Sequence, residues 1–341
     1  MTSRFVKIFI LTILLSLGIV SLSQADDRIY YRNKDGKVID TVGKIKEESI
    51  NGVRFSPNVG KEINVLADDI VRLVYEIPSS LRLELNPIFA SEDRGDFKGA
   101  YEAIKPFEKK FKANSSVTKM ATRGLEFSIA KLKAETQQPE AKTAMIDFIR
   151  KYPANWQSWV LARQLTTMQA KDNDIANAIK IWSQLSATNN ILPAMKQIAE
   201  LQIVDLMLQS KMFTEAKAKI DTLIKGMPST DLNRKKLEIY LILCKAKDEK
   251  IENLVKEIQT VIDRNLDNRL RAVAYNILGD CYDLKGLKRD AMWQYLTVET
   301  VYNQDKEERL KSLNRLAKLF ESDFHDSDRA KQFREKANKL H

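Results

Sequence analysis

Apolar and polar positions follow two different rhythms along this chain. Between Asp26 and Ile77 the apolar residues fall in short runs: Arg28-Ile-Tyr-Tyr-Arg32, Lys37 to Glu47 with Val38, Val42 and Ile45, Val53-Arg-Phe55, Glu62-Ile-Asn-Val-Leu66 and Ile70-Val-Arg-Leu-Val-Tyr75. Runs of this length at roughly ten-residue spacing, separated by turn residues, are the pattern of antiparallel strands. Asn33-Lys-Asp-Gly36 and Asn51-Gly52 supply turns in which glycine can take positive φ, and Asp68-Asp69 opens a brief turn before the last run. The region 26–77 therefore predicts a small antiparallel β-barrel or sandwich. Ile77-Pro78 closes it, and from Leu81 onward apolar residues recur at helical spacing.

Within the helical region a single stretch, Tyr275 to Val298, carries a spaced pattern. Tyr275, Leu278-Gly279 and Tyr282 precede Ala291, Tyr295 and Val298, with a Lys285-Gly286 turn between. The small residues stand where two antiparallel helices would cross closely, and large ones fill the space beside them. The pattern recurs. Ala216, Ile220, Leu223 and Pro228 repeat its second half, as do Ala141, Met145, Phe148 and Pro153. Ala178 and Trp182, Ala100 and Ile104, and Ala330 and Phe333 mark further second helices. A copy near Lys236 lacks the small residues and carries Leu254, Ile258 and Val261. Copies starting at Gln197, Lys236, Ala272 and Leu310 stand 39, 36 and 38 residues apart. The chain resembles the tetratricopeptide repeat family, closely at 272–305 and more loosely over 78–341, with seven divergent repeats. The resemblance implies a mainly α fold, a right-handed α-solenoid of antiparallel helix pairs that takes a peptide or protein segment in its concave groove. The order of five short strands before it resembles a small SH3-like or Sm-like barrel, a module that serves in assembly or docking.

The first 25 residues have a separate purpose. Arg4 and Lys7 precede an uncharged run from Ile8 to Val20, and Ser23-Gln24-Ala25 places small residues at a cleavage point. That is the layout of a secretory signal peptide, with an apolar run too short to span a bilayer. The expectation is an exported protein, periplasmic or extracellular, with no integral membrane span once the leader is removed.

Charge then narrows the partners. The formal net charge of +10 falls to +8 without Arg4 and Lys7, and residues 26–77 hold 9 basic against 10 acidic side chains, so the basic excess belongs to the helices. An anionic envelope polymer or surface is a second class of partner that such a balance allows. Lysines mixed with Asp and Glu, together with export, argue against nucleic acid.

Candidate chemistry is sparse. His325 and His341 are the only histidines, no residues have metal-ligand spacing, and no Gly-rich loop matches a phosphate cradle. No catalytic residue, cofactor or metal is expected. Asp323, His325, Asp326 and Asp328 form a polar cluster best explained by an inter-helix loop ending in an N-cap at Asp326 or Ser327. Cys244 and Cys281 fall on first helices of adjacent repeats; a direct bridge and two buried thiols both stay open, and neither cysteine has a histidine nearby to activate it. In the family resembled, the groove-facing positions here are Val273, Asn276, Asp280 and Asp283, then Lys311, Asn314, Lys318 and Glu321. The acidic residues at 280 and 283 depart from the basic set that clamps a terminal carboxylate, so that specialised role is not implied. Asn276, Asp280, Asp283, Asn314 and Lys318 are the expected partner contacts. The reading is a non-catalytic exported scaffold or adaptor. The alternatives are a polymer- or surface-binding protein and a non-catalytic subunit of an envelope enzyme complex, with an enzyme site at the sheet–helix junction a further possibility.

Overall fold

Period-two alternation builds five strands and period-3.6 spacing builds fourteen helices among the described residues. The computed structural model describes residues 26–264 and 267–340; the proposed leader lies outside them. The strands are β1 (Asp27–Arg32), β2 (Val38–Ser49), β3 (Gly52–Pro57), β4 (Ile63–Leu66) and β5 (Ile70–Val74), with a 3-10 turn at Ala67–Asp69. They pair antiparallel in the order β4-β3-β2-β1-β5. No ladder joins β4 to β5 among the described residues, so the expected closed barrel is corrected to an open five-stranded sheet. The short link helps to explain this: the 3-10 turn leads straight from four-residue β4 into β5, which pairs with β1 at the far edge.

Gly52 shows why the β2–β3 hairpin needs its glycine. Its φ is +140°, and a Cβ there would lie 2.0 Å from the Val65 carbonyl oxygen. Asp27 locks the other side of the sheet. Its carboxylate accepts the Ile45 and Glu76 backbone N–H groups at 2.9 and 2.7 Å, at the irregular register of β2 and just past β5.

The helices are α1 (Ser79–Asp93), α2 (Phe97–Ala113), α3 (Lys119–Glu135), α4 (Ala141–Lys151), α5 (Trp156–Lys171), α6 (Ile175–Ser186) and α7 (Pro193–Gln209). There follow α8 (Phe213–Ile224), α9 (Leu232–Lys245), α10 (Ile251–Arg264), α11 (Asn268–Leu284), α12 (Lys288–Thr300), α13 (Lys306–Ser322) and α14 (Ser327–Asn338). Taken in order they are the seven expected repeats. One alanine near the start of a second helix marks the crossing in six of them: Ala100, Ala141, Ala178, Ala216, Ala291 and Ala330 are at most 1% exposed. The α9–α10 pair lacks it, as expected, and buries Leu254, Ile258 and Ile262 instead, with Val261 turned half outward. At the best-matched repeat a Cβ on Gly279 would stand 2.3 Å from the Tyr295 ring, so the small residue there is a packing requirement. No described helix is long and apolar enough to cross a membrane.

The chain divides into two compact units, residues 1–202 and 203–341. In the first, the sheet and helices share buried polar contacts as well as a core that runs from Tyr75 and Ile77 through Ile88 and Ile104 to Leu132. Glu48 of β2 is the hub: its carboxylate accepts from Tyr75 Oη (3.1 Å), Asn155 Nδ2 (3.2 Å), Trp156 Nε1 (2.9 Å) and the Arg123 guanidinium. One turn further along α5, Trp159 Nε1 and Arg163 donate to Asp68 at 3.1 and 2.8 Å. Trp156, Trp159 and Arg163 share a helix face, so a single face of α5 reads one carboxylate of β2 and one of the 3-10 turn.

Candidate partner-binding surface

Aspartates start three first helices of the second unit. Asp231 and Asp267 accept the N–H groups of Asn233 (2.7 Å) and Arg269 (2.8 Å), and Asp305 accepts those of Glu307 and Glu308 at 3.0 Å each. Two acidic residues in the first turn of α13 also suit its positive dipole end. Successive helical side chains point about 100° apart, so this neighbouring pair separates. The Glu307 side chain is half exposed while Glu308 is 2% exposed. Lys311 and Arg315 follow Glu308 at helical spacing and share its inward face.

That face meets the inner faces of α7, α9 and α11. Lys311 Nζ stands 2.8 Å from Asp205 Oδ2 on α7, 3.2 Å from Tyr240 Oη on α9 and 3.1 Å from Glu308 Oε1. Lys236 Nζ reaches the same Glu308 oxygen at 3.1 Å. Asn276 Nδ2 donates to both the Glu308 carbonyl and Oε2, at 2.9 Å each. Two turns along α13 from Glu308, Arg315 donates to Asp280 Oδ2 at 2.5 Å, and Tyr295 Oη donates to Asp280 Oδ1 at 2.8 Å.

The proton affinities follow from this packing. Burial pulls the Lys311 and Lys236 ammonium groups down, but Asp205, Glu308 and the Tyr240 phenol outweigh it and hold both well above the ordinary lysine range. Burial would raise the Glu308 carboxyl, yet Lys311, Lys236 and the Asn276 amide keep it below the usual range. Lys311 is also the main reason that Glu307 falls to about 2. Asp280 goes the other way: its burial outweighs Arg315, so its carboxyl is raised. Burying charges costs several kcal/mol per ion unless partners offset it, and here every charge has one.

The expected contacts divide between the inside and the surface. Asn276 is 1% exposed and the Asp280 side chain 17%. Their expected solvent-facing placement is corrected, because α11 lies between α9 and α13 and its inner face is closed by both. Asp283 is half-buried and its Oδ1 stands 2.6 Å from Lys288 Nζ. Asn314 and Lys318, on the flank of α13, are exposed and outside the network. Sequence reasoning missed Glu308, Arg315, Lys236 and Asp205. The available signal was the helical spacing of Glu308, Lys311 and Arg315 beside buried Ser312 and Leu316.

The other sites resolve simply. Cys244 and Cys281 are unlinked and buried; burial raises the first thiol to about 11 and pushes the second higher still. Asp326 caps α14 by accepting the Arg329 N–H at 3.0 Å, while Asp323 pairs with Lys288 at 3.3 Å. Among the described residues no cluster of His, Cys, Asp and Glu is arranged to hold a metal ion.

Tandem antiparallel helix pairs, six of the seven crossing at a small residue, make this a tetratricopeptide-like fold preceded by an open sheet. No family model matches the chain, and no curated protein does. Among solved structures it is similar to a tetratricopeptide repeat protein from Parabacteroides merdae, at 15% identity and a TM-score of 0.48, over 76% of this chain and 93% of that one. It is also similar to the P58(IPK) TPR domain, at 12% identity and a TM-score of 0.26, over 77% of this chain and 67% of that one.

Proposed function

We propose that this chain is a non-catalytic scaffold of the cell envelope that holds a protein segment against its helical-repeat surface. The observation that supports this best is how the second unit uses its ionisable groups. Its most displaced carboxylates and ammonium groups are bound to one another across α7, α9, α11 and α13, as struts that fix the array. A reactive site keeps a displaced group facing substrate; here the displaced groups face their own partners. Rigid stacked pairs gather residues distant in sequence onto one surface, which is how repeat arrays recognise a protein segment. The charged, apolar and small-residue layout of residues 1–25 supports export and the envelope.

Crosslinking capture from an envelope extract, with the full chain expressed with its own leader and purified as processed, tests the reading. A protein partner retained at both low and high salt is the expected result. Recovery of no protein at either salt concentration overturns it.

A further inference from the structure

Several lysines of the second unit stand apart from its ion pairs, and three of them gather in one place. Lys236, Lys245, Lys288, Lys311 and Lys336 all stand within 4 Å of a carboxylate. Lys211, Lys247 and Lys285 make no ion pair among the described residues, and all three are exposed. They belong to the turns that close three successive first helices, α7, α9 and α11. Among the described residues the Lys285 ammonium donates to the Lys247 carbonyl alone, at 3.5 Å. Together they line one open cavity of about 330 Å³, whose remaining wall is Phe213, Ala246 and Leu284.

Like charges gathered around one hollow repel each other and stabilise nothing in the fold. The apolar wall gives them a complementary purpose. We propose that this cavity binds an acidic protein segment, its carboxylates on the lysines of consecutive turns and an apolar side chain against Phe213 and Leu284. Neighbouring helices pack about 8–10 Å apart. Three turns therefore span roughly 20 Å, which about six residues of extended chain would cover. This inference deepens the scaffold reading and rests on it: it moves recognition from the closed inner face of α11 to the turn edge of the same array.

The test uses a fluorescein-labelled peptide of Glu-Glu-Leu triplets, with three comparators: a Gln-Gln-Leu peptide, an all-Glu peptide and inorganic polyphosphate. Anisotropy with the full processed chain should show binding of the Glu-Glu-Leu peptide that weakens as salt rises. The triple variant Lys211→Glu, Lys247→Glu and Lys285→Glu should weaken it by about tenfold or more. Phe213→Ala should weaken it by a smaller factor, and an unchanged circular dichroism spectrum would show that these surface changes leave the fold intact. Binding that survives the triple reversal, equal binding of the Gln-Gln-Leu peptide, or no binding by the unaltered chain overturns the proposal. Tighter binding of polyphosphate, with no effect of Phe213→Ala, overturns it in favour of a simple polyanion strip. Repeating the envelope capture with the triple variant separates the two readings. A partner held equally by both forms sinks the lysine cavity and keeps the scaffold, whereas peptide binding without any captured protein keeps the cavity and sinks the scaffold.

Discussion

Glu48 and Glu308 are both carboxylates sealed inside the molecule, their side chains 3% exposed, and each joins several elements. Their partners differ in kind. Glu48 accepts mainly from neutral donors, a phenol, an amide and an indole, with a single guanidinium. Glu308 meets two ammonium groups and one amide, and those lysines pass on to Asp205 and Tyr240. Neutral donors at fixed angles specify which residues meet; removing their acceptor leaves each with its own desolvation cost. Paired charges are less particular about angle, but removing one leaves an uncompensated ion in a poorly solvated place. The junction of sheet and helices is thus held by shape, and the packing of the last repeats by charge balance.

The sharpest way to break this comparison is Glu308→Ala. It removes the carboxylate that Lys236 and Lys311 share, leaving Lys236 only Glu307 at 3.7 Å while Lys311 keeps Asp205 at 2.8 Å, and should cost up to about 3–5 kcal/mol. Three buried tryptophans, Trp156, Trp159 and Trp182, lie in the first unit, while Trp293 in the second is 61% exposed. Tryptophan fluorescence therefore follows mainly the first unit and helical circular dichroism follows both. In urea the variant should lose helical signal early with little change in the fluorescence midpoint. Both probes moving together would mean that the two regions do not respond separately.

Acid should approach the same loss by degrees. Glu307 and Glu308 have carboxyls lowered from an ordinary 4.5, the first to about 2. Glu299 is lowered as well: burial opposes this, but Arg309 and Lys336 outweigh it. A carboxyl lowered in the folded state contributes stability that is complete above its unfolded value and fades as pH falls through the folded one. The second unit should therefore weaken from about pH 4.5 downward to about 2. Asp280 acts in the opposite sense, since its raised carboxyl is relieved by protonation, but it is one group against four, Asp267 being lowered as well by its hydrogen bond from Arg269. A urea midpoint by circular dichroism that holds steady from pH 6 to pH 3 (roughly the window set by these shifts) would refute the charge-balance account.

Glu48→Gln sharpens the other side. The change keeps one acceptor oxygen and turns the second into a donor, facing either Arg123 or the cluster of Tyr75, Asn155 and Trp156. A cost of about 1–3 kcal/mol is expected, the range for leaving a buried donor unsatisfied. Here the fluorescence midpoint should fall, because Trp156 is one of the donors.

The two hubs also show what a sequence makes legible. The alternating runs located all five strands, and the recurring small residue located the helix pairs, because both patterns are set by local geometry. Closure of the sheet was not legible, since it depends on how far β4 and β5 are held apart. Glu48 follows Glu47, and Glu308 follows Glu307. In each pair one side chain is about half or more exposed and the other is sealed. Identical neighbours offer no compositional contrast, so only the phase of the strand or helix separates them. Asn276 and Asp280 were expected on a groove-facing side of α11, but whether that side is open depends on how closely α9 and α13 approach it.

The smallest expected effect concerns the residues left outside the network. Asn314 and Lys318 are exposed on α13 and make no contact that the charge-balanced interior needs. Asn314→Ala and Lys318→Ala should each change stability by no more than about 0.5 kcal/mol. Capture by the double variant is then informative because the fold is not in question. Loss of a partner that the unaltered chain retains would place a contact on the α13 flank. Equal retention by both would take that flank out of the recognition surface, leaving the turn edge where Lys211, Lys247 and Lys285 gather.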